Sequence, residues 1–143
     1  MESTLDRLSE VVGRPIPQGL LAVLDSYPAT LAALAERHGL APYERPLYPD
    51  LATVLAANED VRAEDIWTAE GPWPGELLDI GAEMGGDRFA LLLTATPPSV
   101  HRLDHGRGRF ELIARTLEDF VAALERVARG EARSFATALP SLE

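Results

Sequence analysis

Residues 77–94 read LLDIGAEMGGDRFALLLT, in which two apolar runs flank a turn with two adjacent glycines. In the first run Leu78 and Ile80 alternate with Leu77 and Asp79, so that successive side chains point to opposite faces of a strand. The three leucines at 91–93 make the second run apolar on both faces, which is typical of an interior strand covered on both sides. Gly85 and Gly86 permit positive φ at no steric cost and so favour a reversal of the chain. The stretch therefore predicts a β-hairpin at the centre of the fold.

This glycine-rich turn raises the alternative of a phosphate-binding loop. Such a loop opens onto a helix N-terminus, where backbone N–H groups and the helix dipole meet the anion. The residues after Asp87 instead form an extended apolar run without helical periodicity. We therefore interpret the turn as structural, and we expect no cofactor.

Outward from this hairpin, the sequence predicts a second hairpin and helices at both ends of the chain. Residues 100–104 and 110–114 have strand-like patterns, and the connection between them is too short for a parallel crossover. Apolar residues at helical spacing predict helices over residues 5–12, 20–27, 29–38, 51 to about 58, and 117–128. We predict an α+β fold, with a largely antiparallel central sheet of about four to six strands. N-terminal helices and a C-terminal helix pack against this sheet.

Capping residues mark the start of three of these helices. Ser3 and Thr116 are each followed three residues later by an aspartate, a pattern typical of an N-cap. Asp50 is a suitable N-cap for the helix that we expect to end near Asn58.

The remaining segments lack a regular period. Prolines within residues 42–49 predict an irregular segment that contains a short edge strand. Residues 63–75 predict a loop. Residues 131–143 have few apolar side chains, and we expect a loosely docked or frayed tail on a single domain that spans residues 1–143.

A series of short motifs in the second half of the chain resembles a known family. The motifs are, in order, Trp73-Pro74, Glu76 to Gly81, Gly85 to Phe89, Val100, Asp104-His105, Ile113-Ala114 and Thr116 to Phe120, with a weaker match over residues 13–24. In this order they resemble the SUKH superfamily, which includes bacterial toxin-immunity proteins and a fungal cell-wall assembly regulator. The resemblance implies a protein-binding domain, and many members neutralise toxins, often nucleases, deployed between bacteria. The helix predicted at 29–38 departs from the family pattern, in which a short aromatic and Asn-Gly turn usually follows the second helix.

Charge is distributed unevenly along the chain. The net charge is −10, and residues 59–88 alone carry −7. A negative field repels nucleic acid and anionic membranes and attracts a basic partner. The chain has no cysteine, an acidic N-terminus and no apolar run of membrane-spanning length. We therefore expect a cytoplasmic protein with neither a nucleic acid nor a membrane as its partner.

Three residues of the second hairpin have side chains that bind metals, namely His101, Asp104 and His105. On a regular strand, the two histidines lie about 13 Å apart and Asp104 points to the opposite face. We therefore expect no metal, and we interpret Asp104 as a brace for the turn.

The sequence offers little for catalysis. It has no cysteine, and none of its serines lies in a nucleophile motif. No histidine lies in a motif that would identify it as the general base that activates a serine. Asp79, Glu83 and Asp87 surround one hairpin, so a small hydrolase that uses paired carboxylates remains a third alternative. We expect no enzyme.

The leading hypothesis is a bacterial immunity protein that neutralises a cognate, basic toxin domain by direct binding. A regulatory scaffold of the cell-wall-regulator type is the alternative. Trp67 and Trp73 lie in the loop predicted at residues 63–75. Their side chains either cover the core or form binding hot spots within an acidic rim. The predicted partner-binding residues are Trp67, Glu70, Trp73, Glu76, Asp79, Glu83 and Asp87.

Overall fold

A computed structural model describes residues 2–63, 67–83 and 85–132 of the chain. Within this part, one antiparallel sheet has four strands in the order β1-β2-β3-β4. The strands are β1 (Leu77–Ala82), β2 (Arg88–Leu92), β3 (Ser99–Asp104) and β4 (Arg109–Ala114). Both predicted hairpins are confirmed, and the number of strands is at the lower end of the expected range.

Helices precede and follow the sheet, as expected for the α+β class. The described residues contain α1 (Thr4–Val12), α2 (Gln18–Asp25), α3 (Ala29–His38), a 3-10 turn (Pro42–Glu44), α4 (Leu51–Ala63) and α5 (Leu117–Ala128). The predicted caps are present, because the hydroxyl groups of Ser3 and Thr116 accept hydrogen bonds from the backbone N–H groups of Asp6 and Asp119. The fold class predicted from the sequence is therefore confirmed.

Helix α4 is longer than expected. It continues beyond Asn58 to Ala63, and Val61 in this last part is fully buried. Asn58 does not end the helix, because its side chain donates hydrogen bonds to the carbonyl groups of Val54 and Asp79 and accepts one from the Asp79 N–H. A polar residue thus lies on the buried face of α4. In the loop predicted at 63–75, residues 64–66 lie outside the described residues.

The proline-rich segment covers the outer edge of β1 without forming a strand. The Tyr48 N–H donates to the Ile80 carbonyl, and the Ala82 N–H donates to the Arg45 carbonyl, each at 2.9 Å. Because these bonds satisfy part of the edge, β1 is less available for pairing with another chain.

Apolar clusters cover both faces of β2. Phe89 and Leu91 belong to the main core beneath the helices, whereas Ala90 packs in a second cluster with Trp73 and Val61. This arrangement confirms that the second run of the central hairpin is an interior strand.

Two further expectations concern the helices and the tail. No helix among residues 2–63, 67–83 and 85–132 combines the length and the apolar content needed to cross a membrane. The tail expected at 131–143 falls mostly on residues 133–143, which lie outside the described part of the chain.

Candidate protein-binding surface

Asp79, one of the predicted partner-binding residues, lies in a buried polar network. Its side chain is fully buried, and its two carboxylate oxygens accept hydrogen bonds from the Tyr48 hydroxyl at 3.0 Å and from Arg88 at 2.7 Å. Burial raises the pKa of Asp79 to about 6, and the neighbouring Arg88 and Tyr48 oppose this shift. Asp79 is inaccessible to a partner in this structure, so we remove it from the proposed binding surface.

The two tryptophans are in contact but differ in their exposure. Trp73 is buried, and its indole N–H donates to the Leu77 carbonyl at 2.7 Å. Its ring packs edge-on against Phe110, with 5.1 Å between the ring centres. Trp67 packs edge-on against Trp73 and is only half-buried. The Arg88 guanidinium lies 5.0 Å from the centre of the Trp67 ring, within the range of a cation–π contact. Trp73 therefore covers the core, and Trp67 borders the surface.

The other predicted acids are in different environments. Glu70 is exposed and Glu76 is half-buried. Glu83 lines an apolar cavity near α3 and α5, whereas Asp87 contacts the turn between β3 and β4. Burial therefore separates Asp79 from the other two acids, whereas Glu83 and Asp87 lie across one turn, in which the Glu83 N–H donates to the Asp87 carbonyl at 2.9 Å.

Asp87, Asp104 and His105 come together where the two hairpin turns meet, with their potential ligand atoms within 4.8 Å of one another. A continuous strand would place Asp104 and His105 on opposite faces. The two side chains come together because β3 ends at Asp104 and His105 belongs to the turn. His105 Nδ1 lies 2.6 Å from Asp87, and Asp104 accepts hydrogen bonds from two backbone N–H groups of its own turn. Burial alone would raise the pKa of Asp87, but hydrogen bonds from His105 hold this pKa below its ordinary value. We interpret this cluster as a brace between the turns.

Ser99 and His101 form a side-chain pair that the sequence analysis did not identify. Ser99 Oγ lies 2.9 Å from His101 Nε2, and burial lowers the pKa of His101. The two residues are two positions apart and so share a face of β3. Within the described residues, no carboxylate is hydrogen-bonded to the other ring nitrogen, so the orienting group of a catalytic triad is missing.

A groove between α4 and the 3-10 turn is an open concave surface with both apolar and charged groups. Its volume is about 600 Å³. It is lined by Pro42, Tyr43, Asp50, Ala52, Thr53, Ala56, Ala57, Asp60 and Arg88, and we call this surface the acidic groove. The outward-facing alanines of α4 leave space above the helix, because their side chains extend no further than Cβ.

The charges of the acidic groove are available to a partner. Asp50 and Asp60 are exposed, and one carboxylate oxygen of Asp50 caps α4 by accepting a hydrogen bond from the Thr53 N–H. The nearby cation, Arg88, is already paired with Asp79. Glu59, also on α4, is paired with Arg7 at 3.0 Å and does not line the groove. The rim is therefore negative.

Tyr43 provides an apolar contact at the same surface. It is 68% exposed, and among the described residues Leu112 is the other large apolar side chain that is exposed. Exposed tyrosines are common binding hot spots, because a rigid ring contributes a large contact area. The sequence contains a signal for this face of α4. Ala52, Ala56 and Asp60 are spaced four residues apart and therefore lie on one side of a helix.

Comparisons with family models, curated proteins and solved structures find no match to this chain.

Proposed function

We propose that this chain is a non-catalytic immunity protein of the SUKH type, which neutralises a basic toxin domain by binding it at the acidic groove. The observation that carries the proposal is the combination of an open groove, two exposed carboxylates and the exposed ring of Tyr43. Opposite charges steer the encounter of two proteins, and a buried aromatic residue strengthens the contact once it forms. The sequence motifs that resemble the SUKH superfamily support the same function.

The binding surface in this proposal differs from the surface predicted from the sequence. It retains Trp67, which contacts Arg88 next to the acidic groove, and omits the buried Trp73 and Asp79. The mechanism remains occlusion, in which the bound domain covers the active face of the toxin without any chemical step. Under this proposal, protection takes place in the cytoplasm.

A steric variant tests this function in cells. Ala56→Trp places an indole in the acidic groove from an exposed position on α4. We expect it to abolish both protection and complex formation when the chain is co-expressed with its cognate toxin domain, for which the immunity hypothesis predicts a neighbouring gene. The matched control is Ala33→Trp, an exposed alanine on α3 that should leave protection intact.

Two outcomes would contradict the proposal. Full protection by Ala56→Trp would exclude the acidic groove as the binding surface. Failure of the wild-type chain to bind or neutralise the toxin domain would argue against an immunity function and favour the regulatory scaffold.

A further inference from the structure

An apolar cavity lies on a different side of the proline-rich segment from the acidic groove. Pro42 and Tyr43 of this segment line the groove, whereas Arg45, Pro46 and Leu47 line the cavity. The cavity has a volume of about 200 Å³, and side chains of α3 and α5 form much of its wall. Leu34, Leu40 and Val127 in its wall are only half-buried, so the cavity opens to solvent and a ligand can enter it. An apolar cavity of about 150 Å³ is large enough to bind benzene.

One polar group in the cavity wall lacks a hydrogen-bond partner. The Arg45 guanidinium lines the cavity, its buried Nε atom donates to no acceptor among the described residues, and no described carboxylate forms an ion pair with it. A buried donor without an acceptor is costly, and a guanidinium group binds a carboxylate more strongly than it binds a neutral acceptor. Arg45 also lies close to the hydroxyl group of Tyr27, which belongs to the same wall. A ligand with one anionic oxygen group would therefore complete the site.

Glu83 restricts the charge of that ligand. Its half-buried side chain lines the same cavity, and burial raises the pKa of its carboxyl group. A second negative charge on the ligand would be repelled by the ionised form of Glu83. The wall therefore favours one carboxylate and an otherwise apolar molecule.

We propose that this cavity binds a small monocarboxylate with an apolar body of about six carbon atoms, whose carboxylate accepts a hydrogen bond from Arg45. The residues that carry the site are Arg45 for the head group and Leu31, Leu34, Leu124 and Val127 for the apolar body. This site is independent of the proposed toxin-binding function, since no residue of the acidic groove lines it.

A matched ligand series on the full chain tests the site without any substitution. The probes are heptanoate, its neutral analogue 1-heptanol and its dianionic analogue pimelate, titrated by isothermal calorimetry at neutral pH. We expect 1:1 binding of heptanoate, with 1-heptanol and pimelate each weaker by about tenfold or more. No saturable binding of heptanoate up to ~10 mM would overturn the proposal, and so would equal affinity for 1-heptanol.

Two variants separate the head group from the cavity. Arg45→Met should reduce heptanoate affinity to that of 1-heptanol, while Arg109→Met, at an exposed arginine of β4, should behave as wild type. Val127→Phe fills the space and should abolish binding of all three probes. Heptanoate binding that survives Val127→Phe would place the ligand elsewhere and overturn the proposal.

Discussion

At the scale of single residues, Asp79 shows why a charge in the sequence does not identify a binding residue. Asp79 looks like part of an acidic surface, but it is fully buried and paired with Arg88 across the first hairpin. The pairing depends on a bulge between Asp79 and Gly81 and on Asn58 of α4, which binds the Asp79 backbone. Neither feature follows from the period-2 pattern of the strand. The burial of Trp73 likewise depends on contacts with distant elements.

The raised pKa of Asp79 predicts a distinctive pH dependence of stability. Burial raises this pKa from about 3.8 to about 6, so the folded state binds a proton more readily than the unfolded state between these values. Its contribution is fully present below pH 3.8 and is lost as the pH rises through about 6. We expect the free energy of unfolding of wild type, relative to Asp79→Asn, to increase by about 1 kcal/mol as the pH falls from about 7 to about 5. Urea denaturation measures this difference.

Two control variants distinguish this effect from general acid sensitivity. Glu70→Gln, at an exposed position, should show no such trend over the same pH range. Asp87→Asn should show the opposite sign only below this range, because the lowered pKa of Asp87 stabilises the fold above its ordinary value of 3.8 and that stabilisation is lost as the pH falls below 3.8. A wild-type advantage over Asp79→Asn that shrinks on acidification would refute the assignment.

At the scale of elements, the close contact between β1 and the proline-rich segment makes Gly81 essential. A Cβ atom at Gly81 would lie 1.7 Å from the Pro46 carbonyl oxygen, and neither backbone can move freely, because two hydrogen bonds join them. We expect Gly81→Ala to lower the free energy of unfolding by several kcal/mol, or to prevent folding, because the segment must separate from β1. Chemical denaturation measures the loss.

The matched control lies in the same hairpin. A Cβ atom at Gly85 would meet nothing within 4 Å, so Gly85→Ala should change the free energy of unfolding by at most about 1 kcal/mol. Equal stability of Gly81→Ala and Gly85→Ala would show that residues 45–48 do not pack closely on β1.

The elements that the sequence predicted well are those determined by local signals. The helix caps at Ser3 and Thr116, the end of α3 at His38 and both hairpins follow from short patterns in the chain. The C-terminal part of α4 was missed, because the buried Asn58 interrupts its apolar stripe and only the tertiary contact with β1 explains a polar residue there. The proline-rich segment was expected to contain an edge strand, and it instead protects the edge through two backbone hydrogen bonds.

At the scale of the whole molecule, the charge pattern supports an encounter with a basic partner. The net charge of −10, of which −7 lies in residues 59–88, predicts such a partner but does not indicate which carboxylates are exposed. In the structure, Asp79 and Asp87 are engaged by internal cations or hydrogen bonds, whereas Asp50 and Asp60 remain exposed beside Tyr43. The resemblance to the SUKH superfamily remains a prediction, and the acidic groove is the surface on which it can be tested.

The most direct test is the association rate of the cognate toxin domain of the proposed function with two charge variants, measured by stopped flow at low salt. Asp50→Asn combined with Asp60→Asn removes two charges from the acidic groove and retains an N-cap at position 50. Glu36→Gln combined with Glu118→Gln removes the same charge from exposed positions on α3 and α5. The account predicts that the groove variant associates about three- to tenfold more slowly, with a smaller effect at high salt and near-wild-type rates for the control. Equal rates for the two variants would contradict it.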